Sequence, residues 1–200
     1  MKVLAIILML TILACQTKVE TRKLPIIGPI DFDEISDTIY HQIKPFELYN
    51  QSGDTITLDS LKGKVHVAEF FFSSCPVICP MMKSKMKLVY NKYYTNKDFR
   101  ITSYTVDPER DTVDALRAYG KDLGIDPSIW YLMTGDAYDI QKVSYHSYIQ
   151  ANVKDSLSLN HSQQFVLIGK DLHIRGLYDG TDSLSVSMLM EDVELLLNEE

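Results

Sequence analysis

The chain has 200 residues, 46% of them hydrophobic, and carries 20 lysines and arginines against 27 aspartates and glutamates for a net charge of −7. That length suits one domain with a full core. An acidic balance without a basic run argues against nucleic acid as a partner, and the chain shows no internal repeat or low-complexity segment.

Met1 and Lys2 precede an apolar stretch from Val3 to Leu13 that ends in Ile12-Leu13-Ala14-Cys15. The stretch is shorter than the roughly 20 apolar residues of a bilayer span and has the form of an export signal over residues 1–14. A small residue before cysteine resembles the lipobox of bacterial lipoproteins. That resemblance implies lipid on Cys15 and a domain exported and held at the outer face of a bacterial membrane, in the cell envelope or periplasm. An uncleaved anchor is the alternative. Residues 15–43 are polar, contain Pro25, Gly28 and Pro29 and have no sustained period, so they read as a tether leading into a domain over residues 44–200.

Within that domain, Phe46 to Tyr49 and Thr55 to Leu58 flank Gln51-Ser52-Gly53-Asp54, the pattern of a hairpin. Val65 to Phe72 is an almost unbroken apolar run, as expected of a strand buried on both faces. Met82, Met86, Val89, Tyr90 and Tyr93 share one face of the helix that follows. A second strand spans Phe99 to Val106, a helix Thr112 to Gly124 with Val113, Leu116 and Tyr119 inward, and a short strand Ile129 to Met133. A helix from about Asp136 to Tyr148 leads to a second hairpin, Phe165 to Ile168 and His173 to Tyr178. The last helix starts near Asp182 with Leu184, Met188, Val193 and Leu196 near one stripe. Strands alternating with helices, closed by a hairpin and a helix, give an α/β fold: a mixed sheet covered on both faces, in the order of a thioredoxin-like fold with an N-terminal β-hairpin extension.

The chemistry is concentrated where the apolar strand stops, at Ser73-Ser74-Cys75-Pro76-Val77-Ile78-Cys79-Pro80. Cysteines four apart can turn both sulfurs toward one point, which suits a soft metal ion or a disulfide. Pro80 fits the first position of a helix, where a missing N–H costs nothing, and Cys79 at the positive helix end would favour thiolate. In an oxidising compartment the pair could also be a plain structural staple, although so small a loop restrains the unfolded chain little. Active residues of such folds gather beyond the carboxyl ends of parallel strands. Three segments end at that rim: Ser73 to Pro80, Asp107 to Asp111, and the loop before Phe165 that contains Asn160-His161-Ser162.

An ordered set of motifs runs through the domain: Cys75-Pro76-x-x-Cys79-Pro80, Val106-Asp107-Pro108-Glu109-Arg110-Asp111-Thr112, Leu132-x-Thr134-Gly135, His161-Ser162 before a strand, and Arg175-Gly176-Leu177-Tyr178-Asp179-Gly180. From about Phe46 to the C-terminus the chain resembles the Sco/SenC proteins, membrane-tethered copper proteins of thioredoxin-like fold that assemble the copper-A centre of cytochrome oxidase. The resemblance implies copper, as Cu(I) with Cu(II) as a second state, held by Cys75, Cys79 and His161. It further implies as partners a copper-A-bearing oxidase subunit, a copper donor, an exported thiol reductant and the membrane itself. Two thiolates and an imidazole are also a coherent donor set for soft copper(I) in their own right. Val77 and Asn160 stand where many family members have acidic residues, so the electrostatics around the ligands differ from theirs. Asn160-His161-Ser162-Gln163 contains no proline, whereas thioredoxins carry a cis-proline before this strand.

The remaining histidines, His41, His66, His146 and His173, read as packing or loop residues, and Met82 and Met86 as core. Met81 is a weaker candidate thioether. Asp107 and Arg110 are expected to pair within their loop, and Glu69, in an apolar strand, needs a partner or a raised pKa. Three functions fit: a copper-binding assembly factor, a thiol-disulfide oxidoreductase or thiol peroxidase using Cys75 and Cys79 as redox-active residues, and an inert stapled module. The spacing of the pair differs from the C-x-x-C of the usual oxidoreductases, and the chain lacks the threonine-containing cysteine loop of a peroxidase.

Overall fold

Strand β5 (Val65–Phe71) lies at the centre of the molecule, and all seven of its residues are buried. In this computed structural model, which describes residues 22–32, 37–74, 78–149 and 163–199, β5 pairs in parallel with β6 (Phe99–Thr105) and antiparallel with β8 (Gln164–Ile168). Outside these lie β7 (Trp130–Met133), parallel to β6, and β9 (Ile174–Asp179), antiparallel to β8, giving the order β7-β6-β5-β8-β9. The mixed five-stranded sheet is the one expected from the apolar runs.

Successive β5 side chains point to opposite faces, so one strand organises two cores. Val65, Val67 and Phe71 pack with Met82, Met86, Val89 and Tyr93 of helix α1 (Ile78–Tyr93) and with Leu116 of α2 (Val113–Leu123). Helix α4 (Ser183–Leu197) closes the same cluster. Ala68 and Phe70 face Ile140 and Val143 of α3 (Ala137–His146) and Leu48 and Ile56 of the hairpin formed by β3 (Glu47–Tyr49) and β4 (Thr55–Thr57). Helix ends follow local chemistry. Thr112 caps α2 by accepting from the Ala115 N–H, and Gly124 ends it at φ 60°, the left-handed turn that glycine adopts without strain. Asp136 and Asp182 cap α3 and α4 in the same way.

The last helix differs from expectation in its phase. Val186, Leu189, Val193 and Leu196 are buried, whereas Leu184 is 70% and Met188 47% exposed. A helix rich in apolar residues on several sides leaves its inward stripe to be chosen by the sheet it meets.

Part of the expected tether also lies on the domain. The Ile27 N–H donates to the Ile174 carbonyl at 2.8 Å, Leu24 and Ile43 are buried, and Arg22 pairs with Asp192 at 3.0 Å. Arg175 Nη2 donates to the Leu24 carbonyl at 2.9 Å. Between these contacts β1 (Ile30–Phe32) and β2 (Thr38–Tyr40) form a small exposed hairpin. Leu24, Ile27 and Ile43 are too irregularly spaced to show a period, because an extended segment crossing a surface buries whichever residue meets it. No helix among the described residues is long and apolar enough to cross a membrane.

Several polar side chains sit in or beside this core. His66 is fully buried with Nε2 3.3 Å from the Tyr148 hydroxyl, and burial pushes its pKa down to about 3. Tyr148 in turn meets the Tyr104 hydroxyl at 2.8 Å. On the opposite face the Ser103 hydroxyl donates to Glu69 at 2.6 Å and accepts from Trp130 Nε1 at 2.8 Å. Burial raises the Glu69 pKa to about 7, the hydrogen bond from Ser103 opposing it. Beside Glu69 lies a cavity of about 10 Å³ bounded by Met82, Lys83 and Tyr119, room for about one water. Two further histidines are tied into the structure: His41 meets the Ser147 carbonyl at 2.8 Å and His173 the His41 carbonyl at 2.7 Å.

The two buried titrating groups act in opposite directions. Glu69 keeps its proton in the fold after the unfolded chain has lost it, so its contribution falls as pH rises from about 4.5 to about 7. His66 stays neutral after the unfolded chain has gained a proton, so its contribution falls as pH drops from about 6.5 to about 3. Stability from these two groups is therefore level between about pH 4.5 and 6.5 and lower on either side. Glu69→Gln should remove the alkaline loss: urea melts at pH 8 should show the variant more stable than the parent, by up to about 3 kcal/mol. The difference should close below pH 4.5.

Candidate metal centre

Every strand end at one rim of the sheet feeds a segment singled out by its side chains. β5 runs out through Phe72, Ser73 and Ser74 toward Cys75, and the chain resumes in α1, whose second residue is Cys79. Helix α1 begins at Ile78, so Pro80 is its third residue rather than its first. The consequence is unchanged, because the first four N–H groups of a helix have no partner within it. β6 is parallel to β5, so its carboxyl end opens at the same rim into Val106-Asp107-Pro108. β8 is antiparallel to β5, so its beginning, at Gln163 and Gln164, also lies there.

The Cys75, His161 and Cys15 positions lie outside the described residues, as does the side chain of Cys79. The structure thus brings together the chain flanking Cys75 and the chain following His161, 82 residues beyond Cys79. Among the described residues no group of three or more histidine, cysteine, aspartate or glutamate side chains could hold a metal ion. Met82 and Met86 are 2% and 0% exposed within the core, as their spacing implied, while Met81 is 49% exposed.

The rim is stitched by hydrogen bonds that converge on a buried carboxylate. Asp111, 1% exposed, accepts from the Ser73 N–H at 3.0 Å, from the Ser73 hydroxyl, and from the Thr105 hydroxyl at 2.6 Å. Thr105 Oγ1 accepts the Asp107 N–H at 3.0 Å, and the Val106 N–H donates to the Phe71 carbonyl at 2.8 Å. The end of β6 therefore holds the chain just before Cys75. Asp107 and Arg110 form the expected ion pair at 3.7 Å, but Arg110 is 73% exposed, so the pair adds little. Sequence reasoning saw Asp111 only as part of a motif. Nothing local shows that its partner is Ser73, 38 residues earlier.

A parallel pair β5-β6, an antiparallel hairpin β8-β9, and a helix leaving the end of the central strand define the thioredoxin-like class. The SCO1/SenC family model matches residues 37–198, and the chain belongs to that family. The SCO1 protein homolog of Bacillus subtilis is 30% identical over 165 residues, covering 80% of this chain and 86% of that one. Among solved structures, BsSco, described as carrying a disulfide switch and as a member of the Sco family of cytochrome c oxidase assembly proteins, superposes with a TM-score of 0.69 at 27% identity over 80% of this chain and 95% of that one. ScoI of Arabidopsis thaliana with copper bound gives a TM-score of 0.64 at 27% identity, over 78% of this chain and 98% of that one.

Proposed function

We propose that this protein is a copper(I)-binding assembly factor for the copper-A centre of cytochrome oxidase, with Cys75, Cys79 and His161 as its ligands. The observation that carries the reading is the family match over residues 37–198 on a chain that keeps both cysteines and the histidine. Its support is the copper bound by a relative of the same fold and the oxidase-assembly role of another. The donor set agrees with it. Two thiolates satisfy a soft monovalent ion, a neutral imidazole completes three-coordination without adding charge, and binding displaces the thiol protons. A site assembled from two distant segments can give up one ligand at a time to a recipient, which suits delivery to an oxidase subunit. The rest of the reading is a copper donor upstream, an exported thiol reductant, and attachment to the outer face of a bacterial membrane through lipid on Cys15.

The reduced protein should bind one copper(I), and X-ray absorption should report two sulfur neighbours and one nitrogen. Loss of the nitrogen in His161→Ala is expected, and an unchanged spectrum would remove His161 from the ligand set.

Oxidation should switch the site off, since joining Cys75 to Cys79 takes away both thiolates and leaves one imidazole. Oxidised and reduced samples are to be loaded side by side with copper(I) in a non-reducing competitor buffer. Equal affinity with the disulfide intact by mass would return the pair to a structural staple. A disulfide reductase assay on the same samples separates copper handling from the alternative, thiol-disulfide exchange or peroxidase chemistry as the main activity.

Lipidation predicts that Cys15→Ser accumulates as an unprocessed precursor. Mass spectrometry of mature protein should find the modification on Cys15, and an unmodified N-terminal cysteine would reject it.

A further inference from the structure

We infer that Asp111 is a positioning residue for the cysteine loop, fixing the point from which Cys75 is presented. The inference rests on the copper-binding reading and deepens it. Asp111 is as buried as the core leucines, at 1% exposure, yet among the described residues its carboxylate is matched by hydroxyl and amide donors rather than by a cation. A buried carboxylate is costly to desolvate. Where packing alone was needed, an apolar side chain would serve better.

What the carboxylate holds is specific. It takes both the backbone N–H and the hydroxyl of Ser73, which fixes the position and orientation of the chain two residues before Cys75. It also takes the hydroxyl of Thr105, the last residue of β6. Thr105 carries the restraint back into the sheet through the pairing of Phe71 with Thr105 in the β5-β6 register. The loop between Ser74 and Ile78 has a task that needs a fixed base. Disulfide sulfurs stand about 2 Å apart, whereas two thiolates each about 2.3 Å from a first-row metal stand well over 3 Å apart. The loop must reach both arrangements from one anchored end and one helix start. Holding Ser73 still supplies that anchored end. A metal site whose ligands are pre-positioned binds more tightly than one whose loop must be ordered on binding.

The test uses Asp111→Ala, Asp111→Asn and Ser73→Ala in the otherwise intact protein. Copper(I) affinity is read by competition with a chromophoric chelator, and the Cys75-Cys79 dithiol-disulfide equilibrium against a glutathione buffer in the absence of metal. Thermal melts run alongside. Asp111→Ala should weaken copper(I) binding tenfold or more and move the glutathione equilibrium at least threefold. Asp111→Asn, which keeps one acceptor oxygen, should fall between it and the parent. Ser73→Ala loses only the hydroxyl bond and should give a smaller change. The double variant Asp111→Ala/Ser73→Ala should be no worse than Asp111→Ala alone, because one linkage cannot be lost twice.

A lower melting temperature with affinity and equilibrium both unchanged would reduce Asp111 to a structural group and overturn the inference. Should Asp111→Ala fail to fold, parental values for both readouts in Asp111→Asn and Ser73→Ala would overturn it equally. Failure of the parent to bind copper(I) would count against the copper reading, while the metal-free glutathione equilibrium would still decide the role of Asp111.

Discussion

Burial of β5 on both faces is the constraint from which the rest of the molecule follows. All seven residues of the strand are buried, so each face must be covered by separate elements. The chain supplies α1, α2 and α4 to one and α3 with the β3-β4 hairpin to the other. A strand covered on both faces must also have both edges paired, and β6 and β8 take those places. Because one neighbour is parallel and the other antiparallel, the end of β6 and the beginning of β8 meet the end of β5 at a single rim. The meeting of Ser73 and Ser74, the Asp107 loop and Gln163 at that rim is thus a result of strand direction.

Such a core leaves little room for charge, and the polar groups it does admit are each managed differently. His66 is kept neutral by burial and shares its proton network with Tyr148. Glu69 is pushed toward the neutral acid and leans on Ser103. Asp111 alone gathers three donors from two strand ends. The first two accommodate polarity within the sheet, whereas the third uses it to join the sheet to the loop that carries Cys75.

The periphery is held by a different kind of contact. Arg22, Arg175 and Asp192 clamp the N-terminal segment to β9 and α4, with Arg175 also pairing with Glu199 at 3.1 Å. Whatever lies at the N-terminus, the chain is fastened to the domain from Arg22 onward. A membrane attachment at Cys15 would leave only residues 16–21 between lipid and clamp, on the order of 20 Å when extended.

Periodicity and local chemistry made most elements legible in the sequence. The apolar run of β5, the 82/86/89/90/93 face of α1 and the Thr112 and Gly124 ends of α2 all depend on neighbours within a few residues, so the sequence alone determined them. Cys75, Cys79 and His161 stand out in the same way, as residue identities at a motif, and lie at positions or side chains outside the described residues. What only the tertiary structure decided is which surfaces meet: that α4 turns Val186 and Leu189 inward and leaves Leu184 and Met188 outside, that Leu24 and Ile43 belong to the core, and that Asp111 finds Ser73. The physical reason is range. A helical period or a cap is settled within one or two turns of chain, but the phase of a helix against a sheet and the partner of a buried carboxylate are settled by groups tens of residues away, which come within reach only when the strands have paired.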